Sequence, residues 1–209
     1  MAINPELDEL LNRHLDQSKF IAWRDGKTGW PFFDACMRSL AATGWINFRM
    51  RAMLQSVASY TLWLPWQVTG AHLANLFMDY EPGIHWSQVQ MQSGVTGINS
   101  VRAYSVSKQS TDHDPNGDFI RRWVPELGEV PAEHIHQPWM MSKAEQEQYN
   151  CQIDLDYPAP IVDEKAARKT GISMSYKAKG DIGVRRRAKI VFDIHGSRSR
   201  SRQSSRSRK

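Results

Sequence analysis

The stretch from Gly26 to Leu54 is an almost unbroken apolar run at helical spacing with polar side chains threaded through it. From Trp45 to Trp63 the residues Ile46, Phe48, Met50, Met53, Leu54, Val57 and Tyr60 leave little helix surface for water, the pattern of an element buried on most sides. Asn47, Arg51, Gln55 and Ser59 stand four residues apart, so they form one polar stripe along that helix. A guanidinium such as Arg51 taken out of water is costly unless a carboxylate or a polar ligand meets it. Two arrangements answer the demand: a ligand lying against the stripe, or a structural ion pair inside a helical core.

Periodicity and capping signals place helices near 5–16, 31–42, 45–63, 67–78, 117–123, 142–149 and 163–169. Asn4 followed by Pro5 reads as a cap and first turn at a true N-terminus, and Ser142 with Glu145 reads as a capping box. The best strand signal, Lys189 to Ile194, is weak, and Pro82 to Gly94 reads as a loop. The expected fold class is all-α. Its organisation is one helical domain over 1–140, an irregular and partly helical extension over 141–195, and a basic tail over 196–209.

Charge is divided unevenly along the 209 residues. Residues 181–209 hold ten Lys or Arg against two Asp, a net +8, while the rest of the chain carries 17 basic against 20 acidic residues, a net −3. The last part, GSRSRSRQSSRSRK, has too little apolar content to offset ordering entropy and is expected to be disordered. Such an arginine tract, with Arg198, Arg200 and Arg202 at its centre, suits phosphate backbones through charge neutralisation and counterion release; the alternative is a solvated solubility tail. Cys36 and Cys151 have no spacing for a disulfide framework or zinc site, and an iron–sulfur cluster needs four thiolates. His134 and His136 lack a third ligand at useful spacing, so no metal site is expected. No stretch approaches the roughly 20 apolar residues of a membrane span and no signal-peptide pattern leads the chain, so the expected location is the cytoplasm.

Thr28-Gly29-Trp30-Pro31, then Asp34, Met37 and Arg38, then Thr43-Gly44-Trp45 and Arg49-Met50-Arg51 resemble a block of the photolyase/cryptochrome flavoproteins. The likeness continues through Trp66, Asp79-Tyr80-Glu81, Gly94, Arg102, Gln109, the run Asp114 to Leu127 and His136-Gln137-Pro138-Trp139. It covers about residues 5–140. The resemblance implies the C-terminal part of the family's helical FAD-binding domain, without the antenna domain, the turn that holds the flavin diphosphate, or the helix bearing a dimer-contacting glutamate. The start favours a naturally short protein over a fragment, and pairing of two copies is one way to complete the cofactor site.

By the same resemblance FAD is the cofactor, Arg51 and Asp79 form the ion pair beside its ring, and Tyr80 and Glu81 complete the turn that meets it. Where relatives carry an amide beside the ring, this chain reads Ile46-Asn47-Phe48-Arg49, so Asn47 is the candidate replacement, and Arg49 is a further cofactor-binding candidate. His85 falls nearest the flavin N5, where a histidine is able to donate a proton near neutral pH; the alternative is a packed ring beside Trp86. Trp66 falls at the middle position of the family's aromatic electron relay, while the other two relay positions count to Val89 and Arg13. The relay is expected to be rerouted, with Trp86, Trp63 and Trp45 as substitutes.

The implied partner is DNA. Met91 and Gln92 occupy the region where relatives stack a tryptophan on the dimer, a contact that Trp86 is able to take over, and Arg102, Lys108 and Gln109 lie in the lesion-facing segment. The family's Asn-Pro there is Ser105-Val106 in this chain. The expected activity is a light-dependent lyase repairing cyclobutane pyrimidine dimers by electron transfer from photoexcited reduced flavin. Single strands are the expected preference, since extrusion of a base costs least there and fewer surfaces are present to open a duplex. The alternative is a cryptochrome-like blue-light sensor.

Overall fold

The computed structural model describes residues 2–196, and helix ends follow local chemistry throughout. Asn4 caps α1 (Pro5–Leu11) by accepting from the Leu7 N–H, and Asn12 ends it in a left-handed conformation, φ 44°. The chain restarts at Asp16, which caps α2 (Gln17–Arg24). The single helix expected over 5–16 is therefore a shorter helix and the approach to a second. Pro31 starts α3 (Pro31–Thr43) and Gly44, φ 69°, ends it. Asn47 caps α4 (Phe48–Ser56), which runs without a break into a π-helical turn, Val57–Thr61. Helix α5 (Trp66–Leu76) follows.

Further segments depart from the sequence-based expectation. Pro82 to Gly94 is not a loop but α6 (Pro82–Ser93), with Glu81 as cap, Pro82 in the first turn and Gly94 as left-handed stop. Proline suits the first helical position because its missing N–H has no partner there in any case. The short α7 (Val106–His113) and α8 (Asp118–Trp123) follow. Ser142 and Glu145 form the expected capping box at α9 (Lys143–Gln148). Helix α10 (Glu164–Lys179) runs ten residues past the expected end at 169, and Lys189 to Ile194 lies within α11 (Ile182–His195) rather than a strand. Val184 and Val191, seven residues apart, are the buried residues of α11, so its apolar residues serve a helical face and not a pleat. Among the described residues there is no β-strand, only an isolated bridge between Ile153 and Tyr157.

The larger apolar core gathers α3, α4 and the π turn around Trp23, Phe33, Met37, Leu54 and Leu64, with Ile120 and Leu127 from the other side. A second cluster joins Leu7 and Leu11 of α1, Trp66 of α5, Val89 of α6 and Val184 of α11. Several motif residues hold this frame together. Buried Asp34 accepts from the Thr28 N–H and hydroxyl, the Gly29 N–H and the Tyr157 hydroxyl, and Ile161 donates to the Thr28 carbonyl at 2.9 Å. Arg38 meets both Glu126 oxygens at 2.8–2.9 Å, and Asp114 accepts from the Phe119 and Ile120 amides of α8.

Helix α10 lies against the π turn. A Cβ on Gly171 would stand 2.0 Å from the Tyr60 carbonyl oxygen, so this glycine is a contact requirement within a helix and not a stop. In an open helix Gly→Ala stabilises by about 1 kcal/mol. Here the added methyl meets backbone, and overpacking of that kind costs about 1–3 kcal/mol. Gly171→Ala is therefore expected to lower the denaturant midpoint; an unchanged or raised midpoint in urea titration would show that α10 does not rest on the turn in this way.

Candidate functional site

Between α4, α5 and α6 lies a cavity of about 180 Å3. Helix periodicity decides what reaches it. From α4 come Phe48, Arg51, Ala52 and Gln55; from α6 come Ile84, His85, Gln88, Val89 and Gln92. Leu73 and Phe77 add apolar surface, and Asp79, Tyr80 and Glu81 complete the lining.

Arg51 grips Asp79 with both guanidinium nitrogens, at 2.9 and 2.8 Å, while its Nε donates to the Ile46 carbonyl at 2.7 Å. The guanidinium carbon lies 4.4 Å from the Phe77 ring centre. Its side chain is 24% exposed and that of Asp79 50%, so the pair stands at the cavity mouth and not deep among helices as the stripe suggests. Arg51 holds the Asp79 carboxyl below the usual carboxylate range, chiefly through these hydrogen bonds. Ion pairs this open to solvent contribute about 1 kcal/mol or less; the effect here is to fix one positive charge beside the cavity.

The inner end of the stripe is answered by the protein itself. The Gln55 amide nitrogen lies 2.9–3.0 Å from the hydroxyls of Ser59, Thr69 and Ser93, and Ser59 donates to Ser93. All four residues are buried. Two further amides are not satisfied this way: the buried side-chain oxygens of Gln88 and Gln92, both in the cavity wall, have no hydrogen-bond partner within the protein.

His85 is 8% exposed, its Nε2 lying 2.8 Å from the Gly70 carbonyl. A carbonyl only accepts, so Nε2 carries the hydrogen and the neutral ring keeps Nδ1 as an acceptor. Burial pushes its pKa down, opposed by the Gly70 contact and reinforced by the Arg51 charge. The ring meets Tyr80 at 5.3 Å and Trp86 at 5.1 Å between centres. Trp86 meets Trp66 at 6.1 Å, and neither indole lines the cavity.

Of the residues singled out by sequence, Arg51, Asp79, Tyr80, Glu81, His85 and Gln92 come together here. Glu81 also caps α6, accepting from Ile84. Asn47 and Arg49 lie elsewhere: Asn47 accepts from the Met50 N–H as the α4 cap, and both line a separate groove with Trp45, Arg122 and Trp123. Phe48 takes the cavity position instead, three residues before Arg51 and seven before Gln55, a spacing that a helical wheel would have revealed. Met91 is outside the lining. Arg102 is exposed, its carbonyl accepting from Ser56. Lys108 pairs with Asp112 at 2.9 Å, and Gln109 is buried. Arg198, Arg200 and Arg202 lie outside the described residues. Gln88 escapes the sequence reading because Pro82 to Gly94 reads as a loop; the series 81, 84, 85, 88, 89, 92 is the available signal.

Among the described residues no group of three His, Cys, Asp or Glu is placed to hold a metal ion, and no helix is long and apolar enough to cross a membrane. Both cysteines are buried and unpaired with each other.

A family model described as the FAD binding domain of DNA photolyase matches residues 1–177. The chain belongs to the photolyase/cryptochrome family. This photolyase-like chain is 36% identical over 173 residues to a deoxyribodipyrimidine photo-lyase of Alkalihalophilus pseudofirmus, covering 82% of this chain and 36% of that one. It is 35% identical over 159 residues to a cryptochrome DASH of Synechocystis, covering 74% and 32%. A crystal structure of a class III photolyase from Agrobacterium tumefaciens superposes with a TM-score of 0.79 at 27% identity, over 86% of this chain and 38% of that one. The chain thus spans about a third of the length of these relatives, and FAD is the cofactor of the domain it matches.

The His85 pKa shift has a definite sign. A histidine depressed in the fold binds its proton less readily than in the unfolded chain, so its contribution is intact above the unfolded value of about 6.5 and is lost as pH falls below it. The His85 ring resonances are expected to titrate below 6.5 in NMR, and His85→Gln to reduce the loss of stability on acidification. Titration at or above 6.5 would show that the ring is not desolvated as described.

Proposed function

We propose that this cavity receives the flavin ring of a light-driven enzyme that splits cyclobutane pyrimidine dimers, single-stranded DNA being the preferred substrate. The observation that carries the reading is the pair of buried, partnerless amide oxygens of Gln88 and Gln92 in a largely apolar cavity fronted by Arg51 and Asp79. A buried acceptor left without a donor costs about 1–3 kcal/mol, and a heterocycle bearing N–H and hydroxyl donors on an apolar body removes that cost. A flavin is such a group, so the residues present fit it.

Arg51, His85, Gln88 and Gln92 would hold the cofactor. When bound and reduced, FAD supplies on excitation the electron that opens a dimer. The protein's part is positional and electrostatic. Arg51, kept in place by Asp79 and the Ile46 carbonyl, offers a fixed positive charge to an anionic ring. Leu73, Phe77 and Val89 exclude water from one side. Phe48 and Ile84, each 65% exposed, present apolar surface on which an extruded base is able to stack, a contact worth about 1–3 kcal/mol per base where the platform is aromatic. Extrusion costs least from a single strand. The basic residues of 181–209 add sequence-independent attraction for phosphates.

One observation favours the sensor alternative. Lys108 pairs with Asp112 along its own helix and Gln109 is 8% exposed, so neither of these two candidates in the lesion-facing segment stands free at the surface. A cryptochrome-like light sensor needs no lesion contact from them.

Protein mixed with FAD is expected to turn yellow and retain the pigment through gel filtration, and Asp79→Ala to release most of it by freeing Arg51 to swing away. Failure of the wild-type chain to take up FAD would remove both readings. With reductant and blue light, dimer-containing oligothymidine should be restored, faster as a single strand than annealed. No light-dependent repair by FAD-loaded protein would leave the sensor. Removal of residues 196–209 is expected to weaken DNA binding and flatten its salt dependence, measured by fluorescence anisotropy from low to moderate salt; equal affinity at low salt would make the tail a solvated appendage.

A further inference from the structure

Behind the cavity, Trp66 of α5 and Trp86 of α6 meet nearly edge to face, with ring centres 6.1 Å apart at 73°, and their N–H groups have unlike partners. The Trp86 Nε1 donates to the hydroxyl of Tyr80 at 3.1 Å, a neutral phenol. The Trp66 Nε1 donates to Oδ1 of Asp8 at 2.8 Å, and the other Asp8 oxygen accepts from the Gln67 amide at 2.9 Å. Trp66 is 3% exposed. The carboxylate is therefore the base in contact with its nitrogen. An indole that has lost one electron becomes far more acidic at Nε1, so the identity of that partner decides whether the positive charge stays on the ring or leaves as a proton.

We propose that Asp8 is the proton acceptor that fixes an oxidising equivalent at Trp66. The idea rests on the flavin reading for its oxidant: a bound flavin in its oxidised form, which on excitation would take one electron from Trp86 and so be reduced by that electron. Trp86 as a radical cation then takes one electron from Trp66 and returns to a neutral indole. The Trp66 Nε1–H bond breaks, its proton forms an O–H bond to Oδ1 of Asp8, and Trp66 is left as a neutral radical beside a neutral carboxyl. One positive and one negative charge disappear together, so no separated charge pair remains. A hole on Trp86 meets the neutral Tyr80 phenol and no carboxylate at its Nε1, so no protein base takes its proton before the hole moves on.

Arg13 closes the other exit. Its guanidinium carbon lies 4.7 Å from the ring centre of Trp63, so a positive charge on that indole is opposed by a neighbouring like charge. Trp63 is thus a poor destination although it stands three residues from Trp66. Asp8 draws the hole to Trp66 and Arg13 keeps it from Trp63.

The test is transient absorption on the full chain under two oxidants, subtracting the signal of Trp66→Phe to isolate this residue. The first is a photosensitised ruthenium polypyridyl complex in solution with no flavin present; the second is bound FAD under blue light. Wild type and Asp8→Glu are expected to give the neutral tryptophanyl spectrum, with a solvent deuterium isotope effect on its appearance. Asp8→Asn keeps an oxygen to accept the Nε1 hydrogen bond, and is expected to give the radical-cation spectrum and lose the isotope effect. A neutral Trp66 radical undiminished in Asp8→Asn under the ruthenium oxidant overturns the proposal, as does a signal unchanged by Trp66→Phe. An Asp8-dependent radical under ruthenium with none under FAD and light upholds the proton transfer and overturns the flavin reading alone.

Discussion

The cavity stands open because three helices around it are tied by one buried amide. Gln55 of α4 reaches Ser59 in the π turn, Thr69 of α5 and Ser93 of α6, and each of those hydroxyls would otherwise lie buried without this partner. A network of this sort is stable when every member is satisfied and costly when one is missing. It fixes the spacing of the walls without filling the space between them. It also divides the polar stripe into two parts with different roles: Gln55 and Ser59 hold the frame, and Arg51, one turn nearer the surface, remains available to face the cavity mouth.

The sequence made the helical class plain through the apolar periodicity of 26–63, and it placed the capping box at Ser142 and the Asn4–Pro5 start correctly. It also brought Arg51, Asp79, Tyr80, Glu81 and His85 to one place, because the family motifs carry them in order. What it concealed was a matter of local signals that have two meanings. Pro82 to Gly94 reads as a loop but is α6, and the helix expected to end at 169 continues through Gly171, which permits α10 to touch the Tyr60 carbonyl. Asn47 suits a ligand as an amide, yet the cap of a helix has a prior use for an amide. The apolar neighbours of Arg51 suggest depth, yet a count along one helix says nothing of where its first turn meets solvent.

Much of what is most recognisable in the chain belongs to the frame and not to the cavity. Asp34 gathers Thr28, Gly29 and Tyr157 over a gap of 123 residues in sequence, Arg38 and Glu126 bridge α3 to the turn after α8, and Asp114 starts α8 by meeting two of its amides. Asp34 and Asp114 satisfy backbone amides that the helices leave over, and Arg38 with Glu126 is a half-buried side-chain pair. A motif match therefore reports the fold in these places, and the chemistry has to be read from the residues that reach the cavity.

Helix α6 presents cavity residues at 84, 85, 88 and 92 and carries Trp86 away from the cavity, so the two tasks share one helical frame. Each residue advances an α-helix by about 100°. A single codon inserted after Pro82 would turn every later side chain by that angle, carrying Gln88 and Gln92 off the wall and Trp86 away from Trp66 in one event. Substitution can explore this helix position by position, whereas its length is locked.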